Sequence, residues 1–448
     1  MQHNQLKREI SLASAMTMVI GVVIGSGIFF KATPVFSHAG SAFMGIMAWI
    51  LGGIITMASA LTITEIATAM PETGGIFVYL KRLYCEEIAF LFGWMQTVIY
   101  VPGVSAALAI ILVSQATYFI PLSSVVQKLV AIAFIFFIII MNIFSTKLGS
   151  RIQLLATIGK LIPIAVIIFS GLILGTADGY HAVFGNMMQS VSSVTLSGFG
   201  AAILGTLWAY DGWVGVGNVA GEMKNPGKDL PKAIILGLFI VIIVYFLINL
   251  AIINVMPLNQ IITSDKVTSE AAGIIFGNFG AKLIAAGILV SVFGALNGYL
   301  LTGVRVPFAM AQDGLLPFSS LLGSIDSRFE TPTNALIFQG VLASVYVLTG
   351  SFEKLTNLAM FMVWVFFVLA VAGIFILRQK YAHLTTTYRV PLYPVIPFIG
   401  IIGGLYVIIS TLVGDPRNAI FGIAATAAGY PIYQWRRYKG GTRLRNSK

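Results

Sequence analysis

The sequence predicts an all-α polytopic membrane protein, and three observations carry that expectation. Apolar residues make up 58% of the chain and charged ones only 10%, against roughly a quarter charged in soluble domains. Apolar runs of about 20 residues or more, enough for about 30 Å of hydrocarbon, recur along the chain with no interval between them large enough for a soluble domain. None shows the alternation over about ten residues that a barrel strand would need, so the spans are helical.

Read against breakers, the runs fall near 10–38, 42–69, 87–119, 123–146, 150–175, 197–222, 229–255, 278–310, 333–350, 354–378, 391–413 and 416–436, about twelve helices in all. The first residues, MQHNQLKREI, lack the order of a cleavable signal, so the first helix is expected to stay. An even count puts both termini on one side. Basic residues in the loops of that side, with Lys7, Arg8 and the Arg436, Arg437, Lys439 cluster, outnumber by about three to one the opposite set of Lys31, Lys128, Lys266, Lys282, Lys354 and Arg417. Both termini are therefore expected in the cytoplasm of a multi-pass cell-membrane protein. The same asymmetry explains most of the +11 net charge, so no nucleic-acid partner is needed; the partner is the lipid bilayer.

Other function classes lack their residues. Cys85 is the only cysteine, and His3, His38, His181 and His383 fall at a terminus or in loops. No metal-ligand spacing or catalytic constellation follows, so neither an enzyme nor a metal or other cofactor is expected. A channel would need a polar-lined path or a ring of like groups, and the polar residues gather instead at two interruptions.

The first interruption is IGVVIGSGIFF, with Gly21, Gly25 and Gly27 inside an apolar span. Gly21-xxx-Gly25 can be read as a small-residue packing motif. The second lies in the sixth span, TLWAYDGWVGVGN, at Asp211-Gly212. Glycine-interrupted spans at corresponding positions of two halves point to a transporter's midplane site. They suggest an inverted repeat of five helices plus five with two more, with helices 1 and 6 unwound: residues 1–176, 197–378 and 391–437, then a tail, 440–448, disordered or appended. Freed N–H groups near Gly25, Ser26 and Gly27 suit a carboxylate. The carbonyls near Val23, Trp208 and Ala209 suit an ammonium. Asp211 is read either as a cap on the following half-helix or as a proton relay.

Lys160, in the fifth span, lies about 14 Å from the cytoplasmic end near Arg151 at 1.5 Å per residue. A lysine at a helix centre costs on the order of 3 kcal/mol on insertion. It either snorkels to the interface or sets its ammonium against carbonyls near Gly21 and a hydroxyl of the eighth span, Ser291, as a fixed cation in place of a coupling sodium ion. Glu65 and Glu222 are expected in cytoplasmic gate salt bridges, with Arg305 a basic candidate.

With GSGIF in the first span, PETGG after the second and AYDGW followed by GEMKNP after the sixth, the chain resembles the L-type amino-acid transporters of the amino acid, polyamine and organocation superfamily over nearly its whole length. Among bacterial relatives it is most similar to the serine/threonine and alanine-serine-cysteine exchangers. The resemblance implies a leucine-transporter-like fold and sodium-independent exchange of small neutral L-amino acids by alternating access, proton-coupled uptake being the alternative. It implies that Val23, Ser26, Gly27, Trp208 and Ala209 hold the α-ammonium and α-carboxylate. It implies the built-in cation role for Lys160 and a hydroxyl from Tyr245 toward the first helix, a residue otherwise read as packed with its hydroxyl on a backbone carbonyl. Trp208 stands where larger-substrate relatives carry phenylalanine. The loop at Pro121-Leu-Ser-Ser lacks the cysteine through which animal members link a heavy subunit, so none is expected.

Overall fold

The computed structural model describes residues 11–70, 75–144, 146–175, 179–185, 194–214, 223, 225–329, 331–381, 383–384 and 386–436. Residues 71–74 of PETGG, Glu222 and the tail 440–448 lie outside them. In chain order the helices are α1 (Leu12–Val23), α2 (Gly27–Phe30), α3 (Ala32–Ala39), α4 (Ala42–Ala69), α5 (Ile76–Leu83), α6 (Glu86–Ala116), α7 (Ser124–Phe144), α8 (Thr146–Leu174), α9 (Gly179–Phe184) and α10 (Leu196–Ala209). They continue as α11 (Pro226–Val255), α12 (Leu258–Ile261), α13 (Val267–Gly303), α14 (Arg305–Gln312), α15 (Ser319–Leu322), α16 (Thr333–Thr349), α17 (Phe352–Lys380), α18 (Val395–Gly414) and α19 (Pro416–Ala427).

Among the described residues seven helices are long and apolar enough to cross a membrane, and three shorter apolar ones, Lys160–Leu174, Leu196–Ala209 and Thr333–Thr349, accompany them. The first span is interrupted after Val23, where a glycine-rich break is expected. The eighth begins at Val267, ahead of the apolar run near 278, because a polar first segment is joined to the span at Gly277, whose φ of 69° lets the helix turn. A hydropathy reading takes Thr268, Ser269 and Glu270 for loop.

The chain divides into two compact units that interleave along the sequence: 1–86, 167–275 and 364–414 in the first, 87–166, 276–363 and 415–448 in the second. In the first unit α11 packs on α1 and α4, and α10 packs on α3, α4 and α18. Small residues allow these approaches, as expected where lipid removes the hydrophobic drive between helices. A Cβ on Gly52 would sit 2.0 Å from Thr206 Oγ1, and one on Gly53 would sit 2.9 Å from the Tyr210 hydroxyl. The far end of this unit is tied by Glu65 of α4. Arg378 of α17 donates to it in a fork (Nε–Oε1 2.9 Å, Nη2–Oε2 2.8 Å), and the Val390 N–H donates to Oε2 at 2.6 Å. The guanidinium also lies 3.7 Å from the Tyr393 ring centroid. The partner of Glu65 is thus Arg378, where the sequence offered Arg305. Burial and the Glu65 carboxylate push the nearby Tyr388 phenol well above its usual range, so it stays neutral beside the ion pair.

In the second unit α16 packs on α6 and α7, and α6 carries a π-helical turn at Gln96–Tyr100, where Val101 N–H bonds back five residues to Gln96 O. The cause is Pro102. The carbonyls of Thr97, in the five-residue register, and of Val98, in the four-residue register, would both need the nitrogen of Pro102, which carries no hydrogen. Gln339 Nε2 donates to Thr97 O at 3.0 Å and the Tyr346 hydroxyl to Val98 O at 2.9 Å, both from α16. Elsewhere in this unit Asn142 Nδ2 donates to Asn297 Oδ1 at 3.0 Å, between residues that are both fully buried.

Tyr346→Phe strips Val98 O of its donor, and a buried unpaired group costs about 1–3 kcal/mol. Thermal unfolding in detergent should show a lowered Tm, and the loss should be smaller when Pro102→Ala is also present, because alanine restores an N–H. Equal losses in both backgrounds would disprove the substitution of one donor for the other.

Candidate functional site

The two broken helices of the first unit end against each other. At the first break, Ile24 N–H still bonds to Ile20 O at 2.9 Å, closing α1, and the ladder resumes with Phe29 N–H on Ser26 O at 3.1 Å and Lys31 N–H on Gly27 O at 2.9 Å. Between the two, Gly25, Ser26 and Gly27 supply the amides of a helix start, which by geometry have no intrahelical carbonyl to bond. Ser26 is buried and spends no side-chain bond on capping α2. At the second break, Tyr210 N–H bonds to Thr206 O at 3.0 Å and Asp211 N–H to Trp208 O at 3.3 Å. Gly212 then takes φ 98°, a value that favours glycine.

The glycine at 27 has a steric reason. A Cβ there would meet Ala209 Cα at 2.5 Å and Ala209 Cβ at 2.7 Å. These are atoms of a backbone bend with no flexible end to swing aside, so Gly27 is where the two breaks touch.

Tyr245 of α11 fastens the same junction. Its hydroxyl lies 3.0 Å from Val23 O and 2.7 Å from Ala209 O, the last carbonyls of α1 and α10. The two expectations for this residue therefore merge: the hydroxyl sits on a backbone carbonyl, and that carbonyl belongs to the first break. Its ring packs 4.9 Å from Tyr210 and 5.3 Å from Trp49, centroid to centroid, all three rings being fully or almost fully buried. Tyr210 in turn donates to Trp49 O at 3.0 Å, pinning the sixth-span break to α4. Each carbonyl keeps a second lone pair, so Val23 and Ala209 hold capacity for a further donor.

The structure thus brings Val23, Ser26, Gly27, Trp208, Ala209 and Tyr245 to one place, with Gly21 buried one turn before the break. Asp211 is 9% exposed at the second break; the half-helix it would cap falls in residues 215–222, outside the described ones. Lys160 and Ser291 belong to the second unit. Lys160 is 6% exposed, which argues against snorkelling, and Ser291 is 2% exposed, with no hydrogen-bond partner for its hydroxyl among the described residues. Among those residues no group of His, Cys, Asp and Glu could hold a metal ion.

One residue escaped the sequence. Lys31, counted there among orientation charges, is fully buried, and its Nζ lies 6.0 Å from the centre of the Trp208 ring. The signal was its spacing of four from Gly27, which puts both on the same helix face.

Gly27→Ala should preserve expression and membrane insertion while weakening substrate binding at least tenfold, read as KM in reconstituted vesicles, because the new methyl forces the breaks apart. An unchanged KM would show that the junction tolerates separation.

Residues 10–428 match the family model described as amino acid permease. The chain is 42% identical to the serine/threonine exchanger SteT of Bacillus subtilis over 96% of its own length and 97% of the relative's. It is 30% identical to the b(0,+)-type amino acid transporter 1 of Mus musculus, covering 92% and 84% of the two chains, and 29% identical to the human cystine/glutamate transporter, covering 96% and 85%. The chain is accordingly a multi-pass membrane protein that belongs to the amino acid permease family.

Proposed function

We propose that this protein exchanges small neutral L-amino acids such as serine, threonine, alanine or cysteine across the cell membrane by alternating access and without sodium. The observation that carries the reading is the junction of the two breaks. Amides of Gly25, Ser26 and Gly27 at a helix start suit the α-carboxylate, while the spare lone pairs of Val23 O and Ala209 O suit the α-ammonium, the two ends common to every amino acid. The exchanger from Bacillus subtilis, named for serine and threonine, supports the substrate class.

Unit membership supports a five-plus-five repeat followed by two spans. Helices one and two of each half fall in the first unit: α1–α4, then α10 and α11. The third and fourth of each half, α6 and α7, then α13 and α16, fall almost wholly in the second. The fifth of each half passes from the second unit to the first within one helix, α8 at residues 166–167 and α17 at 363–364. We read the chain accordingly as twelve spans with both termini cytoplasmic, a reading that the basic-residue asymmetry supports.

Lys160 we read as the fixed cation. A Cβ on Gly287 would touch Pro163 Cγ at 2.5 Å, so α8 and α13 meet there. Lys160 lies three residues before Pro163 and Ser291 four after Gly287. In the twelve-span topology these helices run antiparallel, so both residues fall one turn to the same side of that contact. The absence of a cysteine in the loop at Pro121 favours action without a disulfide-linked subunit.

The test is uptake of labelled serine into vesicles with and without internal amino acid, sodium replaced by choline, and no pH gradient. Uptake should require internal amino acid and survive sodium removal. Uptake into empty vesicles that grows with an inward proton gradient would favour symport instead. Lys160→Ala should lower the exchange rate at least tenfold while the protein still elutes as a folded species; undiminished exchange would remove the built-in cation.

A further inference from the structure

Away from the breaks, the Glu65 end of the first unit gathers cations from segments far apart in the sequence. The Tyr381 hydroxyl donates to Arg82 O at 3.1 Å, joining the end of α17 to the end of α5. A Cβ on Gly227 would sit 2.2 Å from Thr387 Oγ1, so residues 386–390 lie against the start of α11. Glu65 draws the same stretch to α17, holding Val390 N–H and the Arg378 guanidinium on one carboxylate. Lys380 follows Arg378 by two residues, Arg389 precedes Val390, and Lys228 follows Gly227 with Lys232 one turn further on. All four are exposed, and among the described residues none of them has an ion-pair partner. The nearby acids leave most of this charge standing: Glu65 spends both oxygens on three donors, Glu86 pairs with Lys81 at 3.1 Å, and Asp229 in the first turn of α11 offsets one charge of the four.

Directly after Arg389 the chain turns apolar. Leu392 is 74% exposed, and Tyr393, 38% exposed, sets its ring against the Arg378 guanidinium and 5.7 Å from the Phe375 ring. Cations and uncovered apolar side chains therefore stand side by side, as headgroup and acyl chain do in a lipid, with an aromatic residue at the level where membrane proteins place them. A soluble anion would use only the cations. We propose that this face binds an anionic phospholipid of the cytoplasmic leaflet, with Lys228, Lys232, Lys380 and Arg389 toward its phosphate and Leu392 and Tyr393 toward its chains. The leaflet, though not the lipid class, rests on the reading that places both termini in the cytoplasm. Each Lys or Arg close to an anionic lipid surface contributes about fivefold in affinity.

The experiment titrates the full chain in detergent with phosphatidylglycerol or with phosphatidylcholine of the same chains, bound lipid being counted by native mass spectrometry. Phosphatidylglycerol should bind at least tenfold more tightly. Lys380→Gln with Arg389→Gln, and separately Lys228→Gln with Lys232→Gln, should each weaken it about tenfold, whereas Lys282→Gln with Lys354→Gln should leave it unchanged. Equal binding of the two lipids, or an unchanged affinity in whichever pair of variants folds, overturns the inference. Glycerol 3-phosphate should fail to displace the lipid; displacement at matching concentration would mark a site for a soluble anion and overturn the lipid assignment. Binding in detergent does not depend on how the chain is inserted. Labelling of Lys380→Cys, in a Cys85→Ser chain, by an impermeant maleimide outside intact cells would overturn the topology reading and the leaflet, whereas loss of lipid preference overturns this inference alone.

Discussion

A peptide carbonyl freed inside a bilayer must find a donor within the protein, because the hydrocarbon offers none. Much of the described structure follows from where those carbonyls are freed and what meets them. At the two glycine-rich breaks one phenol, Tyr245, serves the ends of both α1 and α10. At the π turn of α6 the missing hydrogen of Pro102 frees two more, and α16 answers with Gln339 and Tyr346. The second case is closed within the protein. The first is only half closed, since one hydroxyl proton faces two carbonyls, and that remainder of acceptor capacity is what an ammonium can use.

The junction gains its accuracy from the neighbours packed around it. Tyr245 is walled by Trp49 and Tyr210, and Tyr210 is itself bonded to the backbone of α4, whose Gly52 and Gly53 make room for Thr206 and Tyr210. The breaks are therefore held by the second and seventh helices of the sequence, and the irregular backbone is irregular in one reproducible way.

The two breaks were legible because several glycines crowd into one stretch of an otherwise apolar span, at 21–27, and an Asp-Gly pair interrupts another, at 211–212. Tyr245 was legible in its direction but not in its double engagement, since nothing in a sequence says that two carbonyls 186 residues apart, at 23 and 209, will meet. Gly27 was read as a place for ligand approach; its contact with Ala209 adds a packing reason that only three-dimensional proximity reveals. Lys31 was hidden by the positive-inside count, which treats a basic residue near a span end as solvent-facing. The start of the eighth helix was hidden because a polar amphipathic segment before Gly277 does not read as membrane. Arg378 could not be matched to Glu65 because a bidentate pair leaves no trace in spacing when its members are 313 residues apart.

The contact between Gly27 and Ala209 also limits how the protein can diversify. Glycine is already the smallest residue, so no change at 27 can compensate for a larger side chain at 209, and position 209 is confined to alanine or smaller. Any change near the junction must then come from residues beside the contact, such as Trp208, which precedes Ala209. The meeting point itself is thus the part of the fold with the least room to vary.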